Sequence, residues 1–147
     1  MSRKINPQAA ILCVDDEPII LVALKQELRA LFGDRYIYET ANNAADALDA
    51  IEELQQDEIR VILVISDWLM PGQKGDEFLI EAKSMSPRAG AILITGQANE
   101  EAIAELKQTL EDVVIIRKPW SREALRAAVV SCLDAEGPAN GPTDAQP

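Results

Sequence analysis

VILVISDWLMPG, residues Val61–Gly72, opens with an unbroken apolar run and then delivers a serine, an aspartate and a Pro–Gly turn within a few residues. A short β-branched run with no polar alternation reads as a strand, Val61–Ser66, covered on both faces, as strands of a parallel sheet are. Ala10–Val14, Ala91–Thr95 and Val113–Arg117 have the same unbroken apolar character, whereas Tyr36–Thr40 is mixed and suits a sheet edge.

Between these runs the apolar period changes to that of a helix. Leu21, Leu24, Leu28 and Leu31 form one stripe, Ala44, Ala47, Leu48, Ile51 and Leu54 a second, and Phe78, Ala82 and Met85 a third. Ile103, Leu106 and Leu110 form a fourth, and Leu125, Ala128, Val129 and Cys132 a fifth. The stripes read as core faces. The alternation is that of an α/β protein with a doubly wound parallel sheet. The 147 residues, 48% of them hydrophobic, suit one domain with a proper core. Residues 1–8 read as a flexible leader, 9–133 as the folded domain, and 134–147, rich in Pro and Gly, as a disordered tail.

Charge narrows the function classes. With 25 acids against 14 bases the formal charge is −11, which repels nucleic-acid backbones and anionic lipid, so neither is an expected partner. No apolar run approaches the length of a membrane span, and the amino terminus lacks a signal peptide's apolar stretch, which points to a soluble, cytoplasmic protein. Both cysteines, Cys13 and Cys132, lie in apolar patterns and read as core residues without a disulfide. There is no histidine, which removes histidine acid/base chemistry and zinc sites of the usual kind. Carboxylates and lysines remain.

Ligands of a doubly wound sheet sit beyond the carboxyl ends of the strands. Asp15 and Asp16 follow the first strand, Asp67 the third and Lys118 the fifth, while Thr95 ends the fourth. Taken singly, each has an ordinary alternative: adjacent acids cap helices, and Lys118–Pro119 can start one. Taken together they form a constellation. Three carboxylates at one edge repel unless a cation intervenes, and Mg²⁺ is the hard divalent ion that accepts such ligands. Asp67 then has an oxygen available as a phosphoryl acceptor, Lys118 a positive charge for the product, and Thr95 a hydroxyl donor. Pro71–Gly72, with Gly75 beyond, supplies a tight loop toward the same pocket.

CVDDEP, ISDWLMPGQKG, LITG and RKPW, in that order, resemble the receiver domain of two-component response regulators over roughly Ala9–Leu133. The resemblance implies a flavodoxin-like fold with strand order 2-1-3-4-5, and a phosphorelay protein that accepts phosphate on Asp67 from a sensor histidine kinase or phosphotransfer protein. It implies Asp16 as a direct Mg²⁺ ligand, Asp15 acting through water, the Leu69 carbonyl as backbone ligand, and Thr95 and Lys118 as phosphate-binding switch residues. It also implies a cis Lys118–Pro119 peptide. A downstream protein target is expected, and a homodimer through the fourth helix, fifth strand and fifth helix. Ile115 stands where receivers commonly carry an aromatic switch residue, and Trp120 is the large apolar candidate for partner contact on that face. Leu69 and Gln97 hold the positions that tune dephosphorylation in the family, and an apolar Leu69 cannot hold an attacking water. The other readings are a Mg²⁺-dependent aspartyl-phosphate phosphatase, for which Asp76 is too far along to supply a second acid, and a phosphorylation-independent protein-binding domain.

Overall fold

Apolar run and helical stripe alternate in space as they do in sequence. The computed structural model describes the backbone of residues 8–96 and 99–140, with side chains through Leu133. Along the chain come β1 (Ala9–Val14), α1 (Pro18–Phe32), a 3₁₀ turn (Gly33–Arg35), β2 (Ile37–Ala41) and α2 (Ala44–Gln56). There follow β3 (Arg60–Asp67), α3 (Gly75–Met85), β4 (Gly90–Thr95), α4 (Glu100–Thr109), β5 (Val114–Arg117) and α5 (Arg122–Asn140). All strand pairings are parallel and the order is β2-β1-β3-β4-β5, as the resemblance implies.

Successive strand residues point to opposite faces, so each unbroken apolar run feeds two cores. Leu12, Val14, Val64 and Leu93 pack with α2, α3 and α4 through Ile51, Leu54, Phe78, Leu79, Ile103 and Leu106. Ile11, Cys13, Leu63, Ile65, Ile92 and Ile94 pack with α1 and α5 through Leu24, Leu28, Leu125 and Val129. Cys13 and Cys132 are free and buried, and burial pushes their thiols up to about 12 and about 11, which leaves them inert at neutral pH.

The local signals are conventional. Pro18 opens α1 at its first turn, and the Asn43 and Asn99 side chains cap α2 and α4 by accepting from the Asp46 and Ala102 N–H groups. Two differences from the sequence reading stand out. β5 is the second edge strand: it packs against both cores, but Val114 and Ile115 are only half-buried because no strand lies beyond it among the described residues. An apolar run shows that a strand has something to bury, and a half-covered edge can satisfy that. α5 runs to Asn140, past Leu133 where the sequence reading ends the domain; Asp134, Ala135 and Glu136 carry no helix breaker, and Gly and Pro enter only at Gly137 and Pro138. The leader is described only at Gln8, whose carbonyl accepts from the Arg60 N–H at 2.8 Å; residues 1–7 and 141–147 lie outside the described residues.

Candidate functional site

Parallel pairing sends the carboxyl ends of the strands to one edge, and the register aligns them. Val14 stands opposite Ser66, Asp67 opposite Ile94, and Thr95 opposite Arg117. The residues that leave these strands are therefore neighbours, although Asp15 and Lys118 are 103 positions apart in the chain.

Asp15 is 1% exposed. Its Oδ1 accepts the Glu17 N–H at 2.9 Å and its Oδ2 faces Lys118 Nζ at 3.3 Å. Asp67, the last residue of β3, accepts at Oδ1 both the Trp68 N–H at 2.9 Å and Lys118 Nζ at 3.1 Å. Both donors use the same oxygen, so Oδ2 keeps its lone pairs for another electrophile. Asp16 is exposed, and oxygens of Asp15, Asp16 and Asp67 lie within 4.8 Å of one another. Thr95 is fully buried at the end of β4, and its carbonyl accepts the Lys118 N–H at 2.8 Å. The Lys118–Pro119 peptide is cis. Leu69 stands at the rim with half its surface exposed.

These residues, Asp15 and Pro119 apart, line an open cavity of about 370 Å³. Glu17, Trp68 and Gly96 line it too, and the sequence reading passed over them. Glu17 sits directly after the acidic pair and Trp68 directly after Asp67, so adjacency was the signal that could have found them. Gln97 lies outside the described residues. Ile115 packs against the core that contains α4, while Trp120 packs against the opposite one, beside α1 and α5. Trp120 is half-buried and its Nε1–H donates to Glu27 Oε1 at 3.2 Å, so its donor is already taken within the molecule.

Burial, and then the charge of Asp15, raise the pKa of Asp67; Lys118 and the Trp68 N–H oppose the rise without cancelling it. Burial pulls Lys118 down, but its hydrogen bond to Asp67 and the charges of Asp15 and Asp67 outweigh that, and its pKa is raised. One lysine thus faces two buried acids. Because the folded-state pKa of Asp67 exceeds its ordinary 3.8, protonated Asp67 contributes stability that is full below 3.8 and is lost as pH climbs through the raised value. Asp67→Asn keeps the Oδ1 acceptor and cannot ionise. Without divalent metal it is expected to melt above the parent at neutral pH, and the gap is expected to close as pH falls below 3.8. A lower melting temperature at neutral pH would show that the Lys118 pair outweighs burial and repulsion.

The donor set fits a hard divalent cation. Every side-chain ligand is a carboxylate oxygen, two of the three acids are buried, and a single lysine leaves their charge unbalanced.

The family model described as the response regulator receiver domain matches residues 11–130. The chain is 32% identical over 132 residues to the hydrogenase transcriptional regulatory protein HoxA of Cupriavidus necator, covering 90% of this chain and 26% of that protein. It is 28% identical over 132 residues to the sensor kinase CckA of Brucella abortus, covering 90% of this chain and 13% of that one. The chain thus spans about a quarter or less of these curated relatives' length. Among solved structures, a CheY-like response regulator receiver domain protein from Methanospirillum hungatei JF-1 superposes with a TM-score of 0.76 at 27% identity, covering 92% of this chain and 100% of that one.

Proposed function

Because this chain belongs to the response regulator receiver domain family, which in general accepts a phosphoryl group on an aspartate, we propose that Asp67 is the acceptor here. The observation that supports this most is the arrangement at the end of β3: Oδ1 is held by Lys118 and the Trp68 N–H, and Oδ2 is left to react. The donor is a phosphohistidine on a sensor histidine kinase or phosphotransfer protein, partners with which receiver domains interact. Asp67 Oδ2 attacks phosphorus, the P–N bond breaks, and its electron pair returns to the imidazole nitrogen, which takes up a proton. Lys118 holds the charge gathering on the phosphoryl oxygens, and the Thr95 hydroxyl donates to one of them.

Asp15, Asp16, Asp67 and the Leu69 carbonyl would hold Mg²⁺, Asp16 directly and Asp15 through water. The ion, when bound, offsets the charge of the acids and of the incoming phosphate. No helix among the described residues is long and apolar enough to cross a membrane, and the organisation that goes with this reading is a cytoplasmic signalling unit whose core lies in residues 9–133, with α5 continuing to Asn140. Phosphate uptake from a phosphohistidine donor with Mg²⁺, in a form that hydroxylamine releases, tests the reading; absence of uptake from both a phosphohistidine and a small phosphoramidate donor would overturn it.

The output is a changed protein-binding face formed by α4, β5 and α5, which is also the face for a homodimer. Ile115 is branched and already packed, so the Thr95 hydroxyl carries the coupling, while the Lys118 N–H bond to the Thr95 carbonyl, which alanine keeps, holds the two strand ends together. Thr95→Ala is expected to take up phosphate yet lose most of the phosphorylation-induced amide shift changes across Glu100–Thr109 and Val114–Arg117. The same changes in the fully phosphorylated variant would remove Thr95 from the switch.

A further inference from the structure

The geometry points to Glu27, on α1 and outside the cavity, as a positioning residue that holds Lys118 in register with the acids by gripping Trp120; this rests on the role proposed for Lys118.

Lys118 stands on a short link, residues 118–121, between β5 and α5. On its amino-terminal side the link is fixed to the sheet by the Lys118 N–H to the Thr95 carbonyl. On its carboxyl-terminal side Ser121 caps α5, its Oγ accepting the Ala124 N–H at 3.0 Å, and the tie to α1 is made by Trp120, two residues on from Lys118. The indole packs into the core shared by α1 and α5, and Nε1–H donates to Glu27 Oε1 at 3.2 Å. Arg122 Nε lies 3.9 Å from Glu27 Oε2, but the arginine is largely exposed and a pair of that length and exposure adds little. The indole bond is the one that matters.

The other end of the same helix gives this contact its meaning. α1 begins at Pro18, directly after Asp15, Asp16 and Glu17. One rigid helix therefore starts at the acidic side of the cavity and, further along, grips the link that carries the lysine. The acids and the lysine meet through Asp15 Oδ2–Lys118 Nζ at the cavity and through Glu27–Trp120 below it. With the lower contact cut, the link keeps its packing, the Lys118 N–H bond to the Thr95 carbonyl and the Ser121 bonds to the Ala124 and Leu125 N–H groups, which tie it to α5 and not to α1, and the ammonium loses definition relative to both acids. An indole donor that merely needs a partner when half-buried would be satisfied equally well, so the test must separate placement of Lys118 from stability.

Glu27→Ala, Glu27→Gln, Trp120→Phe and the double variant Glu27→Ala/Trp120→Phe are compared in the full chain, well below every melting temperature. The readouts are phosphoramidate-driven uptake under saturating Mg²⁺ and the ¹⁵N resonance of the Lys118 ammonium. Glu27→Ala and Trp120→Phe are each expected to slow uptake at saturating donor about tenfold, the order that a small misplacement of a charge-stabilising group produces. The half-saturating donor concentration is expected to change little. The double variant should be no slower than either single one, since both cut one contact. Glu27→Gln, which keeps the Oε1 acceptor and loses the charge, should restore the parental rate. The Lys118 resonance should move in Glu27→Ala and return in Glu27→Gln. An unmoved resonance in Glu27→Ala overturns the inference, as does a stability loss with parental uptake kinetics. If the parent itself takes up no phosphate, the acceptor assignment fails while the Lys118 resonance still decides the role of Glu27.

Discussion

Asp67→Asn is expected to take up no phosphate under conditions in which the parent is labelled to completion. The substitution keeps the shape of the side chain and the Oδ1 acceptor for Lys118 and the Trp68 N–H, so the pocket keeps its form. What disappears is the anionic oxygen that attacks phosphorus, and an amide oxygen in its place forms no stable acyl phosphate. Neighbouring acids do not substitute for it. Asp15 has one oxygen on the Glu17 N–H and the other on Lys118, and Asp76, in the first turn of α3, does not line the cavity that holds Thr95 and Lys118. Hydroxylamine-sensitive label counted by intact-protein mass is the measurement. Undiminished label on the folded variant would move the acceptor elsewhere; because the variant is expected to melt above the parent without metal, a melting curve separates loss of the acceptor from loss of the fold.

The second large effect is on stability, at Gly75. A Cβ built there would stand 2.0 Å from the Asp67 carbonyl oxygen and 2.9 Å from its carbon. The obstacle is backbone, and it cannot easily yield. Asp67 is paired with Ile94 in the sheet, the Trp68 N–H donates to the Ile94 carbonyl at 3.0 Å, and the Gly75 N–H donates to the Trp68 carbonyl at 2.8 Å. Gly75→Ala must therefore either pull α3 off β3 or disturb the end of the strand that carries Asp67. A loss of about 3 kcal/mol or more is expected, at the upper end of overpacking costs. Gly72, at φ +89° with no neighbour within 4 Å, is the control: alanine there meets only left-handed backbone strain, about 1 kcal/mol. Urea midpoints at constant m-value measure both. Equal losses at the two glycines would mean that the close approach of Gly75 to Asp67 is not a constraint.

Much of this was legible in the chain. Val61–Ile65 and the other unbroken runs announce strands covered on both faces, because in a parallel sheet both sides of each strand must meet a helix. The helical stripes name the residues that cover them, and Leu24, Leu28, Ile51, Phe78 and Val129 are indeed buried. The acids at the ends of the first and third runs, with Thr95 and Lys118, mark the edge where chemistry collects. Periodicity carries this information because it records which side of an element must avoid water.

It does not record what an element meets. That β5 has one covered flank is decided by its place in the sheet order, since the same apolar run serves a central strand or an edge. Lys118 reaching both Asp15 and Asp67, Trp120 turning to Glu27 across 93 positions, and Gly75 closing on the Asp67 carbonyl are long-range meetings, or depend on a loop's path. The sequence by itself determined the elements, their buried faces and the residue types at the active edge, because burial and local backbone preference act residue by residue. The partners of Lys118, Trp120 and Gly75 were decided only by the tertiary structure, because hydrogen bonds and steric contact depend on distances that exist only once the sheet has formed.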